Sequence, residues 1–228
     1  MFVIELFRTE RGVLYVGDSL EVSKSLDDSS VSGVVYIYNE KDARFKSDLL
    51  RILGEPGVFV AVVPRENIAE FFYSFSDVTK ELDYLHRFVI LKKNDSMSVF
   101  LFGKSFTFTS DFDILLGVES PLILDEVDHK KWVPTLPISY IVRRVIPEGT
   151  VFIPYAGFGE VPLVCETLCV SWVGCVDDPA LASVVSNIIT KGMHPNEAIA
   201  EYLKELRKEI AEKKGTQRSK QVKTLFDV

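Results

Sequence analysis

Cysteine is scarce in this chain. There are three, Cys165, Cys169 and Cys175. An odd count at short spacing argues against a disulfide framework and for a reducing compartment. No stretch approaches about 18 uninterrupted apolar residues, so no membrane span is expected. The N-terminus has no basic segment followed by an apolar run, so no signal peptide is read there. A cytoplasmic protein is the expectation. An excess of positive charge is also missing: 26 Lys and Arg stand against 33 Asp and Glu, for a net charge of −7. Such a chain gains little from phosphate contacts, and tight non-specific nucleic-acid binding is not predicted. The three histidines, His86, His129 and His194, are scattered and suit no Ser-His-Asp arrangement. A metal site on the cysteines would need a fourth ligand and deprotonated thiols, and packing as small apolar residues is the simpler role.

What is present is apolar and patterned. The 228 residues are 47% hydrophobic, enough for one sizeable core. Residues 2–6 and 13–16 read as strands around the turn Glu10–Arg11–Gly12. A short helix is predicted over 18–26 behind an Asp/Ser cap. Residues 33–38 (GVVYIY) and 57–63 (GVFVAVV) are continuous apolar runs, the mark of strands buried on both faces. Between them, Phe45, Leu49, Leu50 and Leu53 have helical spacing over 40–53, with Gly54 as the stop. A helix is expected over 65–75 and a hairpin from 86–94 and 97–106 about Asn94–Asp95. Residues 107–135 read as irregular and 138–146 as helical. Strand–helix alternation of this kind predicts a parallel sheet with right-handed crossovers.

The stretch VFIPYAGFGEVPLVCETLCVSWVGCVDD (151–178) has the outline of a ligand pocket. A strand (Val151–Ile153) runs into a small-residue turn with Ala156, Gly157 and Gly159. A helix follows, then a strand ending on Asp177 and Asp178. The glycines serve equally a tight packing turn or close backbone approach to a ligand. Asp18, Asp177 and Asp178 each precede a predicted helix, so capping competes with any ligand role. Helices are expected over 179–192, ended by Gly192, and over 195–214, with Ile199, Tyr202, Leu203, Leu206 and Ile210 on one stripe.

Two stretches carry a family resemblance. LYVGDSLEVSKSLDDSSVSGVVY (14–36) resembles the segment before the catalytic motif of amino DNA methyltransferases, which methylate the exocyclic amino group of adenine or cytosine. Residues 151–178 resemble the same family's cofactor motif, usually written DPFxGSGT…GxE. The catalytic segment comes first and the cofactor loop late, as in the permuted β-group. The resemblance spans roughly residues 13 to 190. It implies an α/β, Rossmann-like fold of the class I S-adenosylmethionine (SAM) methyltransferase type, a mostly parallel sheet flanked by helices. A methyltransferase-like domain over 1–192, a C-terminal helix over 193–214 and a flexible basic tail over 215–228 complete the expected layout.

The departures from the family pattern are specific. Active members end the catalytic strand with Asp/Asn/Ser-Pro-Pro-aromatic, whose oxygens hold the target amino group while the ring stacks on the flipped base. Here the matching residues are Ile37, Tyr38, Asn39 and Glu40. Only a shifted register offers Asn39 as acceptor and Tyr38 as ring. In the cofactor motif Ile153 replaces the aspartate, Phe158 the serine and Glu160 the threonine. The usual Lys-Pro of the preceding helix is Leu136–Pro137. Asp18 matches the acid that contacts the cofactor adenine. The ribose acid falls at Val176, one residue before Asp177. The cofactor set implied is therefore Asp18, Ala156, Gly157, Gly159 and Asp177, with SAM binding in doubt and no metal.

From Glu201 onward, eight Lys and Arg oppose five acids, which makes this end +3 and the rest −10. Residues 219–228 (SKQVKTLFDV) resemble a sliding-clamp-binding peptide through Gln221, Leu225 and Phe226. The glutamine-to-leucine spacing is one residue long and the terminal aromatic pair is absent. A tail that packs back on its own domain is the competing reading. The reading that follows is a catalytically degenerate, methyltransferase-like binding or scaffold protein in DNA metabolism. It leaves as alternatives an active enzyme with divergent motifs or a non-catalytic subunit of one. DNA, a DNA-processing protein, a sliding clamp and a second copy of the chain are the partners in view.

Overall fold

The computed structural model describes residues 3–38, 43–92, 95–106, 122–124, 141–144, 146, 148–194 and, intermittently, 197–208. Its frame is one nine-stranded sheet. The strands are β1 (Ile4–Arg8), β2 (Gly12–Val16), β3 (Val31–Ile37), β4 (Leu53–Pro64), β5 (Asp83–Lys92), β6 (Asp95–Lys104), β7 (Leu122–Leu124), β8 (Thr150–Ile153) and β9 (Ser171–Val176). Their spatial order is β1-β2-β9-β8-β3-β4-β6-β5-β7. The pairs β2·β9, β9·β8, β8·β3, β3·β4 and β5·β7 are parallel. β6 lies antiparallel between β4 and β5, and β1 is antiparallel to β2 at the edge. The expected mostly parallel, class I methyltransferase-like sheet is what forms.

The helices are α1 (Ser19–Ser25), α2 (Lys46–Ile52), α3 (Ile68–Ser74), α4 (Ser76–Thr79), α5 (Glu160–Leu168) and α6 (Pro179–Lys191). They cover both faces, which is why residues 33–37 of β3 and 57–63 of β4 form unbroken rather than alternating apolar runs. Val35, Ile37, Val58, Val60 and Val62 join one buried cluster with Val161, Val164 and Cys165 of α5 and Leu181, Ala182 and Val185 of α6. Val34, Tyr36, Phe59, Ala61 and Val63 point the other way. They meet Leu49 and Ile52 of α2 and Phe71, Phe75 and Val78 of the α3–α4 region. This second layer is largely aromatic, with Phe71 stacked on Phe75 at 4.9 Å and on Phe100 at 5.9 Å. Among the described residues no helix is long and apolar enough to cross a membrane.

Several boundaries differ from the sequence reading. Gly54 does not stop α2. The helix closes on Leu53, whose N–H bonds Leu49, and the chain enters β4 at once. Pairing with β3 starts at Val31–Leu53, breaks, and resumes at Gly33–Val58, close to the predicted strand start. The helix expected over 65–75 begins as a 3₁₀ turn (Arg65–Asn67), continues as α3 and ends at Phe75, with α4 adding a further turn beyond it. Residues 122–124, inside the stretch read as irregular, pair with Ile90–Lys92 of β5. The described residues among 141–144 and 197–208 are helical, in line with the helices expected there.

Helix α5 ends in a Schellman arrangement without glycine. Cys169 takes φ +58°, its N–H bonds Glu166, and the Val170 N–H bonds Cys165. A side chain in this left-handed region costs roughly 1 kcal/mol relative to glycine. Cys169→Gly is therefore expected to raise unfolding free energy by about 0.5–1 kcal/mol, read from the midpoint of urea denaturation. An unchanged or lowered midpoint would contradict this reading of the cap.

Candidate functional site: the crevice at the strand ends

The five neighbouring parallel strands β2, β9, β8, β3 and β4 deliver their C-terminal ends to one rim. From β8 the chain winds outward through α5 to β9, and from β3 through α2 to β4. The order therefore reverses between β8 and β3, the place where open α/β sheets form a ligand crevice. The turn after β8 lies there. The Ala156 N–H donates to the Cys175 carbonyl at 2.8 Å, tying the turn to the end of β9, and the Gly17 N–H donates to the Val176 carbonyl at 2.9 Å. The loops carrying Asp18, the glycine turn and Asp177 are thus brought together on one rim.

The turn needs its glycines. Gly157 has φ +54° and Gly159 φ +92°. A Cβ on Gly159 would stand 3.2 Å from Val185, and one on Gly157 3.3 Å from Oε2 of Glu160. Glu160, the first residue of α5, is only 2% exposed. Its Oε2 accepts the Phe158 N–H at 3.1 Å. A carboxylate at a helix N-terminus meets the positive end of the dipole and hydrogen-bonding backbone N–H groups. The chain's own carboxyl group therefore lies in the turn. Ile153, at the aspartate position, is fully buried in the same apolar cluster as Ala156.

Asp18 caps α1, with Oδ1 accepting the Leu20 N–H at 3.0 Å. Its Oδ2 pairs with Arg44 at 2.8 Å, and the Asp18 side chain is 9% exposed. Asp177 is exposed at the end of β9. Asp178 caps α6 through the Ala180 N–H at 2.8 Å and accepts the Tyr202 hydroxyl at 3.5 Å. The Phe158 ring meets Tyr202 edge-on at 6.0 Å. Tyr38 follows β3, its N–H donating to Val62 at 2.8 Å. Its half-buried ring is edge-on to Tyr36 and Phe71 at 6.1 and 6.2 Å. Asn39, Leu136, Pro137 and the tail residues Gln221, Leu225 and Phe226 lie outside the described residues.

Arg44 and Tyr202 escape the sequence reading. Arg44 sits inside a predicted helix with nothing to link it to Asp18, 26 positions away. Tyr202 reads in sequence only as part of an apolar stripe, although its hydroxyl is the cue that one end of the ring needs a polar partner. Among the described residues no group of three His, Cys, Asp or Glu side chains is placed to hold a metal ion.

The comparisons with solved structures fit this geometry. The PvuII cytosine-N4-specific DNA methyltransferase superposes with TM-score 0.63 at 14% identity, over 85% of this chain and 92% of that one. A candidate DNA modification methylase from Thermus thermophilus gives 0.60 at 17% identity, over 78% and 94%. M1.HpyAVI in complex with SAM gives 0.60 at 15% identity, over 76% and 97%. No protein-family model and no curated protein matches the chain. At these identities the likeness establishes the fold: this chain is built as DNA amino-methyltransferases are built.

Two of the three cysteines are buried. Burial pushes the Cys165 thiol up to about 12, and Cys175 is buried too, whereas Cys169 is exposed. Thiolate is the reactive form. A thiol-disulfide reagent at pH 8 should therefore modify one cysteine in the native chain, Cys169, and all three in denaturant. Fast native modification of Cys165 would contradict the packing of α5.

Proposed function

We propose that this chain is a DNA-methyltransferase-fold protein that has given up amino-methylation and acts as a binding or scaffold protein in DNA metabolism. The observation that carries the reading is Glu160. Its buried carboxylate already accepts the Phe158 N–H of the cofactor turn. An incoming ligand carboxylate would have to displace the chain's own carboxyl group from that N–H. The groups around it point the same way. Ile153 offers no acceptor, and both oxygens of Asp18 are engaged, by Leu20 and Arg44. Among the described residues, those at the cofactor positions are a poor fit to SAM.

The catalytic side is equally poor. Ile37, where an acceptor for the target amino group is needed, is buried and apolar. Without that acceptor the nitrogen lone pair is not held for attack on a methyl group. Tyr38 follows this strand, and Asn39, next in sequence, lies outside the described residues. The link to DNA rests on the fold and on the names of the similar structures. With a net charge of −10 outside the C-terminal end, contact with nucleic acid runs through a partner, and the basic, apolar-ended tail with Gln221, Leu225 and Phe226 is the segment suited to dock on one, such as a sliding clamp.

The test is calorimetric titration with SAM and with its demethylated product. The native chain should show no binding, meaning a Kd above about 1 mM, and Glu160→Thr should improve affinity at least tenfold into the measurable range. Micromolar binding by the native chain, or methyl transfer to DNA, would overturn the proposal.

A further inference from the structure

β1 ends the sheet, and among the described residues no strand pairs with its outer edge. Edge strands are normally blunted by charges, bulges or covering elements, because their free N–H and C=O groups template pairing with another chain. β1 has charges and a bulge, yet it also leaves Ile4 61% and Leu6 44% exposed. The bulge lies between Glu5 and Phe7, so that Glu5 pairs with Tyr15, Phe7 with Leu14 and Arg8 with Val13. Leu6 is the extra residue. Directly paired residues share a face of the sheet. Tyr15 packs on one buried layer and Leu14 on the other. Glu5 and Arg8 therefore stand on one face, where they form an ion pair at 2.7 Å, and Ile4 and Phe7 stand on the opposite face.

This order is self-complementary. We infer that β1 pairs antiparallel with β1 of a second copy of this chain, about a two-fold axis perpendicular to the sheet and passing near Phe7. In that register each Glu5 faces the Arg8 of the other copy, and the two Phe7 residues face each other. Glu5 and Arg8 share a face, so both ion pairs form on one side of the continuous sheet. The apolar contacts form on the other side. Ile4 and Leu6 lose their exposure to water. Charges that deter a foreign strand thus match an inverted copy of their own, which is how an isologous contact selects itself. One five-residue edge is a small contact, so the dimer is weak and concentration-dependent. The inference makes no use of the crevice and stands or falls separately from the loss of SAM binding.

Sedimentation velocity of the full chain across a concentration series tests it. The native chain should pass from monomer to dimer as concentration rises. Glu5→Arg and Arg8→Glu should each raise the dimer Kd about tenfold or more, because like charges then face each other across the pair. The double reversal, Glu5→Arg with Arg8→Glu, should restore it. Both side chains are at the surface, so a matching circular dichroism melt confirms that each variant is folded. A monomer at every concentration, a dimer indifferent to the single reversals, or no rescue in the double variant would overturn the inference.

Discussion

The crevice is governed by one buried carboxyl group. Glu160 opens α5 with its carboxylate almost wholly removed from water. A buried carboxylate is tolerated only where hydrogen bonds and a favourable field replace its hydration. The Phe158 N–H supplies one such bond, and the N-terminus of α5 supplies the field. Gly157 and Gly159 complete the arrangement, since only glycine reaches their backbone angles without crowding Glu160 or Val185. On the function proposed above, this turn has the shape of a cofactor loop with its N–H already taken by Glu160.

The sheet makes such a substitution possible without loss of the fold. The rim is fixed by backbone bonds, Ala156 to Cys175 and Gly17 to Val176, which do not depend on what the turn holds. Both sheet faces are packed with apolar layers that run up to the rim. The apolar side chains at the strand ends, Ile37 and Ile153, continue the apolar layer up to the rim. Fold and activity are separable for this reason, and the fold likeness to DNA methyltransferases leaves the chemistry to be argued residue by residue.

Much of the frame was legible because burial on both sides writes itself as unbroken apolar runs, as in 33–38 and 57–63. The turn after β8 was legible from its glycines, and α6 from Pro179 and Gly192 at its ends. What was hidden depends on contacts distant in sequence. No local signal links Arg44 to Asp18, or Tyr202 to Phe158 and Asp178. The 3₁₀ entry at Arg65–Asn67 and the extra turn α4 beyond Phe75 are too short to show a period of their own. The three-residue strand at Leu122–Leu124 is too short to show a period. Gly54 misled because glycine usually ends a helix, whereas here the chain turns straight into β4.

The central claim is that the chain's own carboxylate fills the cofactor turn, and the Phe158 amide reports on it most directly. Hydrogen exchange measured by NMR should find that amide about ten- to a hundredfold slower in the native chain than in Glu160→Ala, as expected for a buried bond to a charged acceptor. Its chemical shift should not move when SAM is added. An amide that exchanges like an open loop, or one that shifts on addition of SAM, would contradict the account and return the turn to service as a cofactor site.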